Sequence, residues 1–176
     1  MNDHPANRRI DRIRDAGFVA GLGDLSLEEL RARRDECMAE REYLSLMRRL
    51  LQGRAEILQA EMDARGSGEV QEPLVQRLST ILAADDHPTS RGEAVRVGVP
   101  EDELMLARRR VERLATDAEL SDPSQLSDTA LASVITALAT EEHAVSEDRR
   151  AVIDILDTLQ DELKRRYKDD PTLALS

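Results

Sequence analysis

The sequence predicts an all-α fold in which two long helices pair as an antiparallel coiled coil. Its 176 residues include two tyrosines, one phenylalanine and no tryptophan, and 35% of them are charged. This composition is typical of long helices that bury apolar seams. Hydrophobic residues recur every seven positions in two stretches of the chain. The roughly 60 residues between these stretches allow the second helix to fold back along the first.

The sequence predicts three segments: an N-terminal segment, residues 1–25; a helical coiled-coil domain, residues 26–167; and a tail, residues 168–176. Residues 7–18 predict a short basic helix with Ile10 and Ile13 on one side. Because isolated helices of this length are marginal in water, we expect it to dock on the rest of the chain or on a partner.

The first long helix is predicted to begin after Ser26, since Glu29 three residues later completes a capping box. Gly66 is expected to end the helix as a C-cap glycine. The seam residues lie seven apart and are Leu30, Cys37, Leu44, Leu51 and Leu58. This position predicts that Cys37 is a small buried hydrophobe and not a reactive thiol.

Two shorter helices are predicted in the connection, at about residues 72–84 and 100–116, each with a proline near its first turn. The polar residues 85–99 predict a loop. The second long helix is predicted from about Ser127 to Tyr167. Its seam residues are Leu131, Leu138, Val145, Val152 and Leu159.

A heptad has a second seam position, three or four residues away from the first. In both long helices a polar stripe interrupts this second position. The first stripe comprises Arg41, Ser45, Arg48, Gln52 and Glu56. The second comprises Glu142, Ser146, Arg149, Ile153 and Asp157. Both have the same spacing, which places all five positions within about 80° of one helix face. The repeat is offset by 101 residues, and an antiparallel pair with Arg48 level with Arg149 would make a pseudo-two-fold site.

These residue types suit a guanine nucleotide. Arginine binds guanine O6 and N7, or phosphate. A carboxylate accepts hydrogen bonds from the N1–H and N2–H₂ groups of guanine, and serine can donate to phosphate. An unpaired buried charge is costly, so the stripe must pair internally, reach solvent or hold a polar ligand. The alternative is a polar layer that only sets the register of a coiled-coil scaffold or adaptor.

The formal net charge of −11 disfavours direct DNA binding, which needs clustered lysine and arginine. It fits a basic protein surface as the partner, and the alternative is an acidic surface that serves only solubility. The sequence has no apolar signal segment and no apolar run near the roughly 18 residues of a membrane span, so we expect a cytoplasmic protein. Because it has no catalytic triad, no phosphate-cradling glycine loop and no metal-ligand spacing, we expect neither an enzyme nor a metal site.

Two stretches resemble the RsiG family of actinobacterial anti-sigma factors, also called aerial-mycelium-formation proteins. They are RRIDRIRDAGFVAGLGDLSLEELRARRDECMAEREYLSLMRRLLQGRAEIL and LSDPSQLSDTALASVITALATEEHAVSEDRRAVIDILDTLQDELKRRY. The family motif on each long helix is E-x3-S-x2-R-x3-Q-x3-D. The residues that match it are Ser45, Arg48, Gln52, Glu142, Ser146, Arg149 and Asp157. Arg41 and Ile153 replace Glu and Gln, and Glu56 replaces Asp.

The resemblance implies that the antiparallel helices bind a dimer of cyclic di-GMP. It further implies that the liganded protein sequesters a WhiG-type sigma factor, through its N-terminal segment and coiled-coil pair, in the control of sporulation and development. Arg41 is the main departure from the motif. Either it contacts phosphate, or Glu40 or Glu42 supplies the carboxylate that the motif has there.

Overall fold

A computed structural model describes residues 9–67, 99–116 and 126–175. This part of the chain is helical and contains no strand. The helices are α1 (Arg9–Ile13), α2 (Leu27–Ser67), α3 (Glu101–Thr116) and α4 (Asp128–Asp169), with 3₁₀ turns at Ala16–Phe18, Leu22–Asp24 and Pro171–Leu175. The predicted all-α class is therefore confirmed. The helix predicted at about 72–84 and nearly all of the loop predicted at 85–99 lie outside the described residues.

The start of α2 is fixed by the predicted capping box. The backbone N–H of Glu29 donates to Ser26 Oγ at 3.1 Å, and the Ser26 N–H donates to Glu29 Oε2 at 2.8 Å. These two bonds satisfy donors that the first turn of a helix leaves without partners. The predicted C-cap was wrong. Gly66 does not adopt a left-handed conformation, and α2 continues through it to Ser67, because glycine permits that conformation without requiring it.

The chain forms two compact units. The first unit comprises Met1–Leu46 and His143–Ser176, and the second comprises Met47–Glu142. Each unit holds one part of α2 and one part of α4. In the first unit, Arg31 bonds to Tyr167 and Ser45 bonds to Arg149. From Arg31 to Ser45 along α2, the bonded residue of α4 moves back from Tyr167 to Arg149. The two helices therefore run antiparallel in this unit.

The second unit shows the same arrangement between its own parts of α2 and α4. Gln52 bonds to Glu142, and Arg65 bonds to Asp128 and to the carbonyl of Leu126. The Arg65 guanidinium also binds Glu61. Because Asp128 is the first residue of α4, Arg65 ties the beginning of α4 to the last turn of α2 within this unit.

Both predicted heptad seams are buried. The seam residues of the first unit are Leu30, Cys37, Leu44, Val145, Val152 and Leu159. Those of the second unit are Leu51, Leu58, Leu131 and Leu138. None of these side chains is more than 2% exposed, and each buried leucine contributes about 2 kcal/mol to folding. The seven-residue spacing therefore identified the core of each unit correctly.

Helix α1 and the adjacent Arg14 dock on α2 and α4 within the first unit, through two apolar side chains and three ion pairs. Ile10 and Ile13 are buried. The pairs join Arg9 to Glu40, Arg12 to Glu36, and Arg14 to Asp148. A five-residue helix cannot hold itself together in water, so these contacts keep it folded. Of the two possibilities predicted for the basic helix, docking on its own chain is the one observed.

The last turns of α4 hold the turn at Leu22–Asp24 within the first unit. Arg166 donates to the carbonyl oxygens of Leu22 and Leu25, both at 2.7 Å. Its Nε also donates to Glu162. Hydrogen bonds from Arg165 and Arg166 lower the pKa of Glu162 to about 2. One arginine thus fixes the path of the chain just before α2 begins.

Helix α3 belongs to the second unit, where Ala107 and Val111 are buried and Arg110 pairs with Glu141 of α4. None of the helices in the described ranges is long and apolar enough to cross a membrane.

Candidate functional site

The residues of the two polar stripes are mostly half-buried. This group comprises Arg41, Ser45, Arg48, Gln52, Glu142, Ser146, Arg149 and Ile153. The final carboxylates of the stripes, Glu56 and Asp157, are exposed. The stripes therefore border the buried seams and remain open to solvent on one side. Their polar groups carry a lower desolvation cost than fully buried groups would.

Besides its heptad seam, α2 has a second line of buried residues. Each of them lies one residue before the second seam position predicted from the sequence. Glu40, Met47 and Glu61 are no more than 6% exposed, whereas Arg41 and Arg48 are half-buried. In the first unit this line faces α1, since Arg9 pairs with Glu40. Sequence reasoning missed it because two of its members are carboxylates, which a search for hydrophobic periodicity passes over.

The first half-site comprises the stripe residues of the first unit: Arg41, Ser45, Ser146, Arg149, Ile153 and Asp157. Arg149 Nε donates to Ser45 Oγ at 2.9 Å, and the same hydroxyl donates to the Arg41 carbonyl at 2.7 Å. Ser45 thus joins α2 to α4 and orients the Arg149 guanidinium. That guanidinium is a planar fork of the kind that binds a phosphate or the edge of a base, and Arg149 has a further interaction in the structure.

The second half-site comprises the stripe residues of the second unit: Arg48, Gln52, Glu56 and Glu142. Gln52 Nε2 donates to Glu142 Oε1 at 3.0 Å. An ionised carboxylate has about four acceptor positions, and Glu142 has a further interaction besides this bond. Arg48 forms no hydrogen bond or ion pair with any residue in the described ranges. This half-site therefore offers an oriented amide–carboxylate pair and an uncommitted guanidinium.

The side-chain bonds between α2 and α4 do not give one value for the helix register. In the first unit the bonded residue numbers add up to 194 for Ser45 and Arg149 and to 198 for Arg31 and Tyr167. In the second unit they add up to 194 for Gln52 and Glu142 and to 193 for Arg65 and Asp128. Long side chains reach over several residues, so the predicted sum of 197, for Arg48 and Arg149, stays a prediction.

The two carboxylates beside Arg41 have different partners in the structure. Arg41 Nη2 pairs with Glu42 Oε1 at 2.9 Å. Glu40 faces α1 and pairs with Arg9. Both Arg41 and Glu40 have further interactions, and the role of Arg41 towards a ligand stays a prediction.

The donor and acceptor sets of the half-sites fit a guanine nucleotide. The carboxylates accept from N1–H and N2–H₂ of guanine, while the arginines donate to O6, N7 or phosphate. The described residues contain no group of three His, Cys, Asp or Glu side chains that could hold a metal ion.

Residues 17–82 match the sequence model of the RsiG-like family. The match confirms the resemblance found in the sequence, and it includes α2 and the whole of the first polar stripe. The second stripe lies outside the matched residues. The RsiG-like family implies an anti-sigma-factor role, with a sigma factor as the partner. The comparison with curated proteins gave no match.

Proposed function

We propose that this RsiG-like protein is an anti-sigma factor that binds cyclic di-GMP at its two half-sites and, when liganded, sequesters a WhiG-type sigma factor. The anti-sigma role is supported by the family match over residues 17–82. The nucleotide is supported by the repeated polar stripes, whose residue types provide both acceptors for guanine and donors for phosphate. The resemblance to the family further suggests that the nucleotide binds as a dimer.

The observation that carries the nucleotide proposal is the state of Arg48. Its side chain is half-buried, and it hydrogen-bonds to none of the residues that the structure describes. A guanidinium taken partly out of water without a partner lowers stability. A scaffold gains nothing from such a residue, whereas a binding site needs donors that remain available to the ligand.

The Ser45–Arg149 and Gln52–Glu142 bonds orient these groups before any ligand arrives. A preorganised site has fewer side chains to order upon binding, which favours affinity. When bound, cyclic di-GMP supplies phosphates and guanine edges that balance the arginines and carboxylates of the half-sites. Glu142 and Glu56 would then accept from guanine, and Arg48 and Arg149 would donate to guanine or phosphate.

The net charge of −11 supports a protein partner with a basic surface, because complementary charge speeds encounter and orients docking. We propose that this partner is the sigma factor, contacted by the N-terminal segment and the paired helices. We further propose that the protein binds the nucleotide without converting it. Incubation with cyclic di-GMP followed by chromatography should then return the nucleotide unchanged.

Calorimetric titration with cyclic di-GMP, with and without the sigma factor, tests the proposal. Arg48→Leu and Arg149→Leu should each weaken nucleotide binding at least tenfold. Arg49→Leu is the matched control, since Arg49 is the exposed neighbour of Arg48, and it should bind like the unaltered protein. Absence of nucleotide binding both with and without the sigma factor would refute the switch.

The second candidate is a coiled-coil scaffold or adaptor whose polar layer only sets register. It is favoured by the fact that the Ser45–Arg149 and Gln52–Glu142 bonds already satisfy much of the stripe internally. A scaffold should become more stable, or change little, when Arg48 is replaced by leucine. It should also show no heat of binding with cyclic di-GMP in any variant.

A further inference from the structure

The internal repeat shows that the two half-sites are not equivalent. The repeat relates each residue of the first stripe to the residue 101 positions later. Applied to the bonded pair Gln52–Glu142 of the second unit, it gives Ile153 and Arg41, which both belong to the first unit.

The counterpart of an amide–carboxylate pair is therefore an aliphatic side chain and an arginine. Both chemical changes fall in the first unit. Serine and arginine occur in both stripes, although both serines, Ser45 and Ser146, belong to the first unit. The loss of a carboxylate and an amide at Arg41 and Ile153 is therefore the main change in groups that could accept hydrogen bonds from guanine.

We infer that the second half-site binds guanine and sets the affinity, whereas the first half-site binds mainly phosphate, through Arg41 and Arg149. This inference rests on the proposed function and names the role of each half. Glu142 can accept from guanine N1–H and N2–H₂, and Gln52 holds that carboxylate in place. Neither Arg41 nor Ile153 can accept such a bond, since a guanidinium only donates and an aliphatic side chain does neither.

The arginines of the half-sites support the same division. The first half-site has two, Arg41 and Arg149, and the second has one, Arg48. Arg41 is paired with Glu42, so phosphate would compete with that carboxylate for the Arg41 guanidinium. Solvent-facing contacts between arginine and phosphate weaken as salt rises. Hydrogen bonds from guanine to an oriented carboxylate depend less on salt.

Calorimetric titration of the full chain with cyclic di-GMP at about 50 and 300 mM salt tests this inference. We expect two binding steps that differ at least tenfold in affinity. The weaker step should lose more affinity than the tighter one at the higher salt. A single step with equivalent sites, or two steps with equal salt dependence, would overturn the inference.

Two double variants serve as matched opposites. Arg41→Glu with Ile153→Gln gives the first half-site the pair of the second, and the two steps should merge into one. Gln52→Ile with Glu142→Arg makes the reverse change and should abolish the tighter step. Circular dichroism melts would establish that each variant is folded, and Ile153→Gln alone is the milder version, expected to bring the two affinities closer.

The outcomes separate this inference from the proposed function. If no variant binds cyclic di-GMP, with or without the sigma factor, the proposed function is wrong and the inference falls with it. If binding occurs but the double variants change both steps equally, the proposed function stands and the inequality of the half-sites is refuted.

Discussion

Replacing Arg9 by alanine should undock α1 from α2. It should lower the free energy of unfolding more than the same replacement of the exposed Arg12 does. Arg9 pairs with Glu40, whose side chain is only 5% exposed. Arg12 pairs with Glu36, but the Arg12 side chain is 64% exposed. The two arginines lie on the same five-residue helix, have the same chemistry and bind carboxylates of the same helix. Comparing Arg9→Ala with Arg12→Ala therefore isolates the effect of burial.

The magnitude follows from the environment of Glu40. Breaking a fully buried ion pair by removing one partner costs about 3–5 kcal/mol, because the other charge stays buried without compensation. Arg9 is itself 24% exposed, and Glu40 has a further interaction in the structure, so we expect about 1–3 kcal/mol for Arg9→Ala. An exposed pair contributes about 0–1 kcal/mol, which is the expected effect of Arg12→Ala.

Urea unfolding followed by far-ultraviolet circular dichroism measures both changes. Adding Glu40→Gln to Arg9→Ala should restore part of the lost stability, since the uncompensated charge is gone. The reasoning would be refuted if Arg9→Ala cost no more than Arg12→Ala. It would also be refuted if Glu40→Gln gave no recovery, because the loss would then come from packing alone.

Three further predictions use single sites. Gly53→Ala should stabilise the protein by about 0.5–1 kcal/mol in urea unfolding, because a Cβ there meets nothing within 4 Å; lost sigma-factor binding would show that a partner approaches the helix at this point. The pKa of Glu162 is about 2 against an ordinary 4.5, so its stabilising effect should be complete above about pH 5 and vanish as pH falls towards 2. In melts across this range, the advantage over Glu162→Gln should shrink; a constant difference would contradict it. Burial raises the pKa of Cys37 to about 12, so a thiol reagent at pH 8 should label it only after unfolding.

The sequence predicted the long helices well because their seams repeat strictly. Leu44 and Leu138, for example, are each part of a five-member series, and a hydrophobic side chain every seven residues is stable only as a buried line on a helix. The N-cap at Ser26 was equally predictable from the sequence, since the capping box depends on two residues that lie three apart. Predictions of this kind succeed because the interacting groups are close in sequence or strictly periodic.

The register and the tertiary anchors could not be predicted in the same way. A heptad repeat looks the same at every step, so it does not tell which residue of α2 faces which residue of α4. The Ser45–Arg149 and Gln52–Glu142 bonds came from the structure alone. Arg166 binds carbonyl oxygens more than 140 residues away in the chain, and backbone carbonyls carry no sequence signal.

The half-burial of the stripes bears directly on how a switch and a scaffold would differ. A polar layer that fixes register works best when fully buried, because misalignment then costs most. In the first unit, however, the fully buried polar residue is Glu40, which binds α1. Ser45 and Arg149 lie instead at the open edge of the seam, where they can exchange their mutual bond for bonds to a ligand at little desolvation cost. At this edge, misalignment of the helices would cost a register-setting polar layer little. The position of the stripe therefore favours the nucleotide-binding proposal over the scaffold.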